Sequence, residues 1–466
     1  MSRPLAITPS LVVVLTLGLM AAPRAARANG AFPESFQLVL PADRPHQVIL
    51  ATNFGLIISD DDGATWTWTC EQKATVMGAL YGVSAAPLDR LFSLSTLVGL
   101  AYSDDDSCSW TPSGGALDTV LASDYFADPT NPLRVYALGK PPNDDTVPSK
   151  LFASDDGGKT FGTTLFTAPA GTTLSGIESA RSDPSTLYLA TYTTTPMPAT
   201  IHPKLERSTD GGTTWTVIDV EASLGTNSFR IIAVDPSDAR VVTVRVIEML
   251  GESVAVSRDG GVTFTKVATV AGQLTAYVRL DSGTILIAGA LAIDGVGFRS
   301  TDGGLTFTDW TPRTTSDGGV PDLSEDGGAP RPPHLRALAA RGGKLYGAAK
   351  NFSDDWAVGV STDEGVTFQR LARYNEVTSI RACVQKACMD SCDSQAGAQI
   401  WLPITCIAPD ERTDAGVVTP PPPPAKKKGC GCGVADARGA SGTTLGAEAL
   451  GALAALWLTR ARRRRR

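Results

Sequence analysis

Histidine is almost missing from this chain. His46, His202 and His334 are the only three in 466 residues, so any acid–base chemistry falls to carboxylates. His202 lies in a predicted loop and reads as a solvated side chain rather than a catalyst. A Cys-x-x-Cys pair is lacking too, which takes the spacing of a zinc site away from Cys383, Cys388, Cys392 and Cys406. Long apolar runs are also scarce: Leu11–Met20 is too short to cross a bilayer, and Leu445–Leu458 is marginal and carries Glu448.

The two ends do not read as part of a fold. Arg3, the run Leu11–Met20 and the small-residue site Ala26-Arg27-Ala28 make residues 1–28 a secretory signal, which predicts export. Residues 411–429 form a Pro/Lys-rich linker in which Pro420–Pro424 act as a stiff extended spacer. Residues 430–466 then bring Cys430 and Cys432, the apolar stretch and Arg462–Arg466, in the order processing or anchoring site, short membrane segment, positive stop.

The formal net charge is −7. Taking away three arginines in the signal and an excess of eight basic groups in residues 425–466 leaves −18 for residues 29–424. A body this acidic repels phosphate backbones, which argues against nucleic acid as a partner.

What is present is a repeat. SDDDGATW from Ser59 returns as SDDDSCSW (Ser103), SDDGGKTF (Ser154), STDGGTTW (Ser208), SRDGGVTF (Ser257), STDGGLTF (Ser300) and STDEGVTF (Ser361). The spacings are 44, 51, 54, 49, 43 and 61 residues, room for four short strands plus turns. Each unit reads that way; in the fifth, FRIIAVDPSD, RVVTVRVI, ESVAVSRD and TFTKVATV are four successive strands. Seven such units predict an all-β, seven-bladed β-propeller with four-stranded blades over 34–376, plus a small Cys-rich cap over 377–410.

The acidic stretch then belongs to the hairpin between third and fourth strands. Asp61, Asp105, Asp156, Asp210, Asp259, Asp302 and Asp363 accept hydrogen bonds from the turn's own amides. Gly at the fifth position supplies a backbone angle other residues adopt at a cost. The aromatic at the eighth position covers the hairpin and packs on its own blade. A calcium loop of the EF-hand kind is excluded because no copy carries the closing Glu. No metal and no cofactor is expected.

The pattern S-x-D-x-G-x-T-[FW] resembles the Asp-box, or bacterial neuraminidase, repeat of sialidases, oligoxyloglucan-type hydrolases, sortilin-type receptors and photosystem II assembly-factor-like propellers. The resemblance implies the propeller fold and puts the boxes on the outer rim, away from the ligand face. Sialidase chemistry is not carried over: Phe229-Arg230-Ile231 is followed by Ile232 where the Arg-Ile-Pro element needs proline, and it falls between the fourth and fifth boxes. The xyloglucanase-like families set two propellers face to face; this chain has one. The tail over 430–466 resembles the C-terminal sorting signals of myxobacterial surface proteins. That implies a sorting peptidase as partner, cell-surface or outer-membrane display with possible release, and attachment to the membrane through the tail.

Turns between second and third strands, and the links between blades, open on the face opposite the boxes. The long insertions map there: 141–149, 193–203, 313–333 and 351–356. Their acids, Asp144, Asp145, Asp317, Asp322, Glu325, Asp326, Asp354 and Asp355, with His202 and Trp356, are the candidate ligand face. The expected function is a monomeric, non-catalytic module binding a protein or glycan, with a glycoside hydrolase as the rival. For an exported protein eight cysteines point to disulfides. Cys70 and Cys108 are expected to bridge adjacent blades. Cys383, Cys388, Cys392 and Cys406 are expected to form two bridges within the cap, beside a short helix near 378–393.

Overall fold

A computed structural model describes residues 33–72, 80–95, 97–142, 147–197, 199–291, 294–315, 332–409 and 411–412. Seven antiparallel sheets succeed one another along the chain, each built from four strands laid side by side in chain order. Blade 1 comprises Ser35–Val39, Val48–Thr52, Gly55–Ser59 and Thr67–Thr69; blade 7 comprises Ala337–Arg341, Lys344–Ala348, Val358–Ser361 and Thr367–Ala372. The five between start at Leu80, Leu121, Thr172, Ser228 and Gln273. First strands pack against first strands between blades 1 and 2, 3 and 4, 4 and 5, and 6 and 7, and Ser35–Val39 meets Ala337–Arg341 where the ring closes. The fold is a seven-bladed β-propeller.

Second strands are apolar on both faces because each blade is sandwiched between two others. VILAT in blade 1 and LFSLS in blade 2 are buried at every position. The first strands of blades 1, 3, 4, 5 and 6 each carry an irregularity in register. In two of them the extra residue bonds to the next blade: the Ser175 hydroxyl donates to the Phe229 carbonyl at 3.0 Å, and that of Thr275 to the Leu335 carbonyl at 2.6 Å.

The segment leaving one blade can pair in parallel with the outer strand of the next. Gly114–Gly115 pairs with Thr160–Phe161, Arg313–Thr315 with Thr367–Gln369, and Ser379–Ile380 with Thr67–Trp68. The last of these is the ring closure, made by the same device as the other two. The four antiparallel strands of each blade come from one continuous stretch of chain, and the seam is held by this added strand, by the cap and by direct bonds between blades 7 and 1, such as Arg336 to Glu34 and Ser35 to Tyr374.

The cap begins directly after that closing strand. Its helix is Gln385–Gly397, starting later than the sequence pattern suggested because Ser379–Ile380 is drawn off as a strand. Trp401 lies 4.9 Å from the Trp68 ring and 5.9 Å from Phe54, placing the cap core on blade 1. The disulfides are Cys70–Cys388, Cys108–Cys383 and Cys392–Cys406. The expected Cys70–Cys108 bridge and a cap closed by two internal bridges are therefore incorrect. The closing strand brings residues after 380 between blades 1 and 2, so each rim cysteine meets a cap cysteine instead of its neighbour on the rim.

Candidate functional site

The acidic turns occupy one end of every blade and the varied loops the other. In blade 4 the Ser208 hydroxyl donates to Asp210 Oδ1 at 2.8 Å and accepts the Gly212 N–H at 2.8 Å. The Thr214 N–H donates to Asp210 Oδ1 at 2.9 Å and its hydroxyl to Oδ2 at 2.6 Å. The same set, Ser to Asp, fifth-position N–H to Ser, and Thr or Ser to Asp, recurs at Asp61, Asp105, Asp156, Asp259, Asp302 and Asp363. These carboxylates are thus occupied by their own turns. The Thr214 hydroxyl, and after it the turn amide, holds Asp210 down at about 2, and the same donors from Thr306 lower Asp302.

The eighth-position aromatic packs on its own blade as expected in blades 2 and 7, where Trp110 lies 5.9 Å from Tyr81 and Phe368 stacks on Trp356. It also wedges into the preceding blade, which the sequence did not indicate: Trp215 donates from Nε1 to the Leu165 carbonyl of blade 3 at 3.1 Å and lies 5.4 Å from Phe166, while Phe161 of blade 3 joins Phe92 and Leu94 of blade 2. The fifth-position glycine makes the wedge possible. At Gly158, with φ +79°, a Cβ would stand 2.6 Å from the Phe92 ring. The turns fasten each blade to its predecessor.

At the opposite end the predicted site residues do not converge. Asp354 is enclosed: Oδ1 meets His334 Nδ1 at 2.9 Å, and Oδ2 accepts the N–H groups of His334 and Lys350 at 3.0 and 3.1 Å. Trp356 is buried, stacked on Phe368 with Nε1 donating to Thr314 Oγ1 at 3.2 Å, so it serves the packing of blade 7 and offers nothing to a ligand. Asp355 is exposed and paired with Arg373. His202 is in the strand Ala199–Ser208 instead of a loop, with Nδ1 2.8 Å from Glu221 Oε2. The 193–203 insertion is the end of a long hairpin, paired to Pro196 and Ala199. The 351–356 insertion starts with one helical turn, Asn351–Asp354. Asp144, Asp145, Asp317, Asp322, Glu325, Asp326, Cys430 and Cys432 lie outside the described residues, as do the signal and the sorting tail.

Two features of the inner and upper surface carry no sequence motif. The first strands of blades 3, 4 and 5 bring Asp124 into electrostatic reach of both Glu178 and Arg230. Burial, opposed by Arg230 and the Tyr125 N–H, pushes Asp124 up to about 6; burial, reinforced by Asp124, raises Glu178 well above the usual range. Both side chains remain half-buried and so within reach of water.

The second feature is a set of apolar turns between second and third strands. Leu97 and Val98 in blade 2, Met197 in blade 4, and Met249 and Leu250 in blade 5 are exposed, Met249 at 96%. The counterpart in blade 1, Phe54, is only 7% exposed, because Trp401 and Tyr374 cover it.

The architecture defines the class, a seven-bladed β-propeller with a disulfide-linked cap. The chain matches no family model and no curated protein. Solved structures similar to it include the GH74 xyloglucanase of Xanthomonas campestris, at 15% identity, covering 72% of this chain and 77% of that one with a TM-score of 0.35. YCF48 from Cyanidioschyzon merolae is 12% identical, covering 70% and 94%, TM-score 0.43. The α-L-arabinanase of Penicillium chrysogenum is 12% identical, covering 63% and 86%, TM-score 0.32. Among the described residues no helix is long and apolar enough to cross a membrane.

Proposed function

We propose that this is an exported, surface-displayed binding module, monomeric and non-catalytic, that takes a protein or glycan on the face opposite the acidic turns. The observation that carries this reading is the exposure of Met197, Met249 and Leu250 on adjacent hairpin tips of that face. A turn in water favours polar residues, and side chains left 86–96% exposed contribute nothing to the fold. Blade 1 supplies the internal precedent: there an apolar tip is covered by aromatic side chains from elsewhere in the chain. Methionine suits such a surface because its unbranched, polarizable side chain adapts to what covers it. The signal over 1–28 and the Asp-box and sorting-tail resemblances support export and display through a sorting peptidase.

A second reading, a glycoside hydrolase, is favoured by Asp124 and Glu178. A carboxyl whose pKa is raised by burial, as both are, suits a general acid. The two readings part in one experiment. The purified protein is applied to a glycan array and to a panel of glycosidase substrates, alongside M197S/M249S/L250S and D124N/E178Q. Saturable binding without turnover, lost in the first variant and kept in the second, supports the module; turnover abolished by D124N/E178Q refutes it in favour of the hydrolase.

A further inference from the structure

The three disulfides among the described residues differ in their access to solvent. Cys70–Cys388 and Cys392–Cys406 are formed by cysteines between 0 and 7% exposed. Cys383 is exposed and Cys108 half-buried. The accessible bond is also the one with the most consequence for the rim. It ties the cap to the acidic turn of blade 2, where the fifth-position glycine is replaced by Ser107, held at φ 70°. Arg381, two residues before Cys383, reaches Asp60 of the blade 1 turn at 3.2 Å and also Asp106 of the blade 2 turn. The same short segment comes directly after Ser379–Ile380, the strand that closes the ring. One solvent-accessible bond therefore holds down the segment that follows the closing strand, while two buried bonds hold the cap to blade 1 and to itself.

We propose that Cys108–Cys383 is a redox-labile bolt on the ring seam, open to exchange with external thiols while the other two bonds stay intact. In the exchange an external thiolate attacks one sulfur of the pair, forming a mixed disulfide and freeing the other cysteine as a thiolate. A second thiol of the reductant then resolves the mixed disulfide. The net change is two electrons and two protons passed to the protein, leaving two protein thiols and an oxidised dithiol. With the bolt drawn, the cap remains attached through Cys70–Cys388 and Arg381 keeps its ion pairs to Asp60 and Asp106, but the closing strand loses its covalent anchor on blade 2. The seam between blades 7 and 1 then loosens locally and the remaining blades do not.

The test uses the intact oxidised protein. Dithiothreitol is raised in steps under native conditions, free thiols are trapped with N-ethylmaleimide, and peptides are mapped by mass spectrometry. Cys108 and Cys383 are expected to be labelled together at a reductant concentration at least tenfold below that needed for Cys70, Cys388, Cys392 and Cys406. Simultaneous opening of all three bonds, or earlier opening of Cys392–Cys406, overturns the proposal. Hydrogen exchange on the singly reduced form supplies the second readout. Exchange should rise at least tenfold in peptides covering Thr67–Thr69 and Ser379–Arg381 and stay unchanged in blades 4 and 5; an unchanged seam refutes the coupling. C108S/C383S should reproduce the reduced pattern and C392S/C406S should not. Should C108S/C383S fail to fold, the reduction of folded wild-type protein decides alone.

Discussion

The two ends of each blade are built on opposite principles. At one end the same eight-residue turn is made seven times, with nearly the same hydrogen bonds each time. At the other end blade 1 has a covered Phe54, blade 4 a long hairpin, blade 5 a bare Met249-Leu250 tip and blade 7 a helical turn. The repeated end solves a problem every blade shares, how to grip its predecessor. The varied end is free of that duty, which is why an apolar residue can stand there uncovered without harming the fold.

Substitutions at the two ends should therefore separate stability from binding. The largest effect is expected for Phe161→Ala, which removes a fully buried ring wedged between blades 2 and 3. Chemical denaturation should show a loss of about 3–5 kcal/mol. Asp156→Ala takes away the acceptor for the Ser154 and Thr160 hydroxyls and the Thr160 N–H, with an expected loss of about 2 kcal/mol. A tolerated Phe161→Ala would break the comparison, because the turn would then be decoration.

Titration sharpens it further. Asp210 binds its proton more weakly when folded than when unfolded, at about 2 against about 3.9, so its contribution is full above pH 4 and is lost as the pH falls toward 2. Acid unfolding monitored by tryptophan fluorescence should fall in that window, and Asp210→Asn should flatten it. Glu206 behaves oppositely. Burial, against the attraction of Lys204 and a bond from Thr191, raises it, and its Oε2 has no hydrogen-bond partner. Ionised Glu206 is thus a cost borne above its folded pKa and absent below about pH 4. Glu206→Gln should raise Tm at pH 7 and lose that advantage in acid. The smallest effect is expected at the far end: Met249→Ser with Leu250→Ser should leave stability within about 0.5 kcal/mol while weakening ligand capture.

The ring was readable because its signal is periodic. Ser, Asp, Gly, Thr and an aromatic at fixed offsets recur seven times, and each position has a local physical reason. The direction in which Trp215 or Phe161 points was not readable, because no spacing says which neighbouring blade is closer. Trp356 sits beside Asp354 and Asp355 and so looked exposed, yet Phe368 and Thr314 take it into blade 7. Asp124 and Glu178 stand on inner strands with no motif, and only the folded ring sets Asp124 near both Glu178 and Arg230. Disulfide pairing failed for the same reason: Cys70 and Cys388 are 318 residues apart and become neighbours only once the last blade meets the first. Cross-links spanning so much chain are worth roughly 5–6 kcal/mol in the chain-entropy picture, less for a second closed inside the first.

The central claim is that a C-terminal cap locks the ring by crossing from blade 7 to blades 1 and 2. Disulfide mapping of the unreduced protein by mass spectrometry tests it most directly. Peptides joining Cys70 to Cys388 and Cys108 to Cys383 are the predicted result; a peptide joining Cys70 to Cys108 would contradict it.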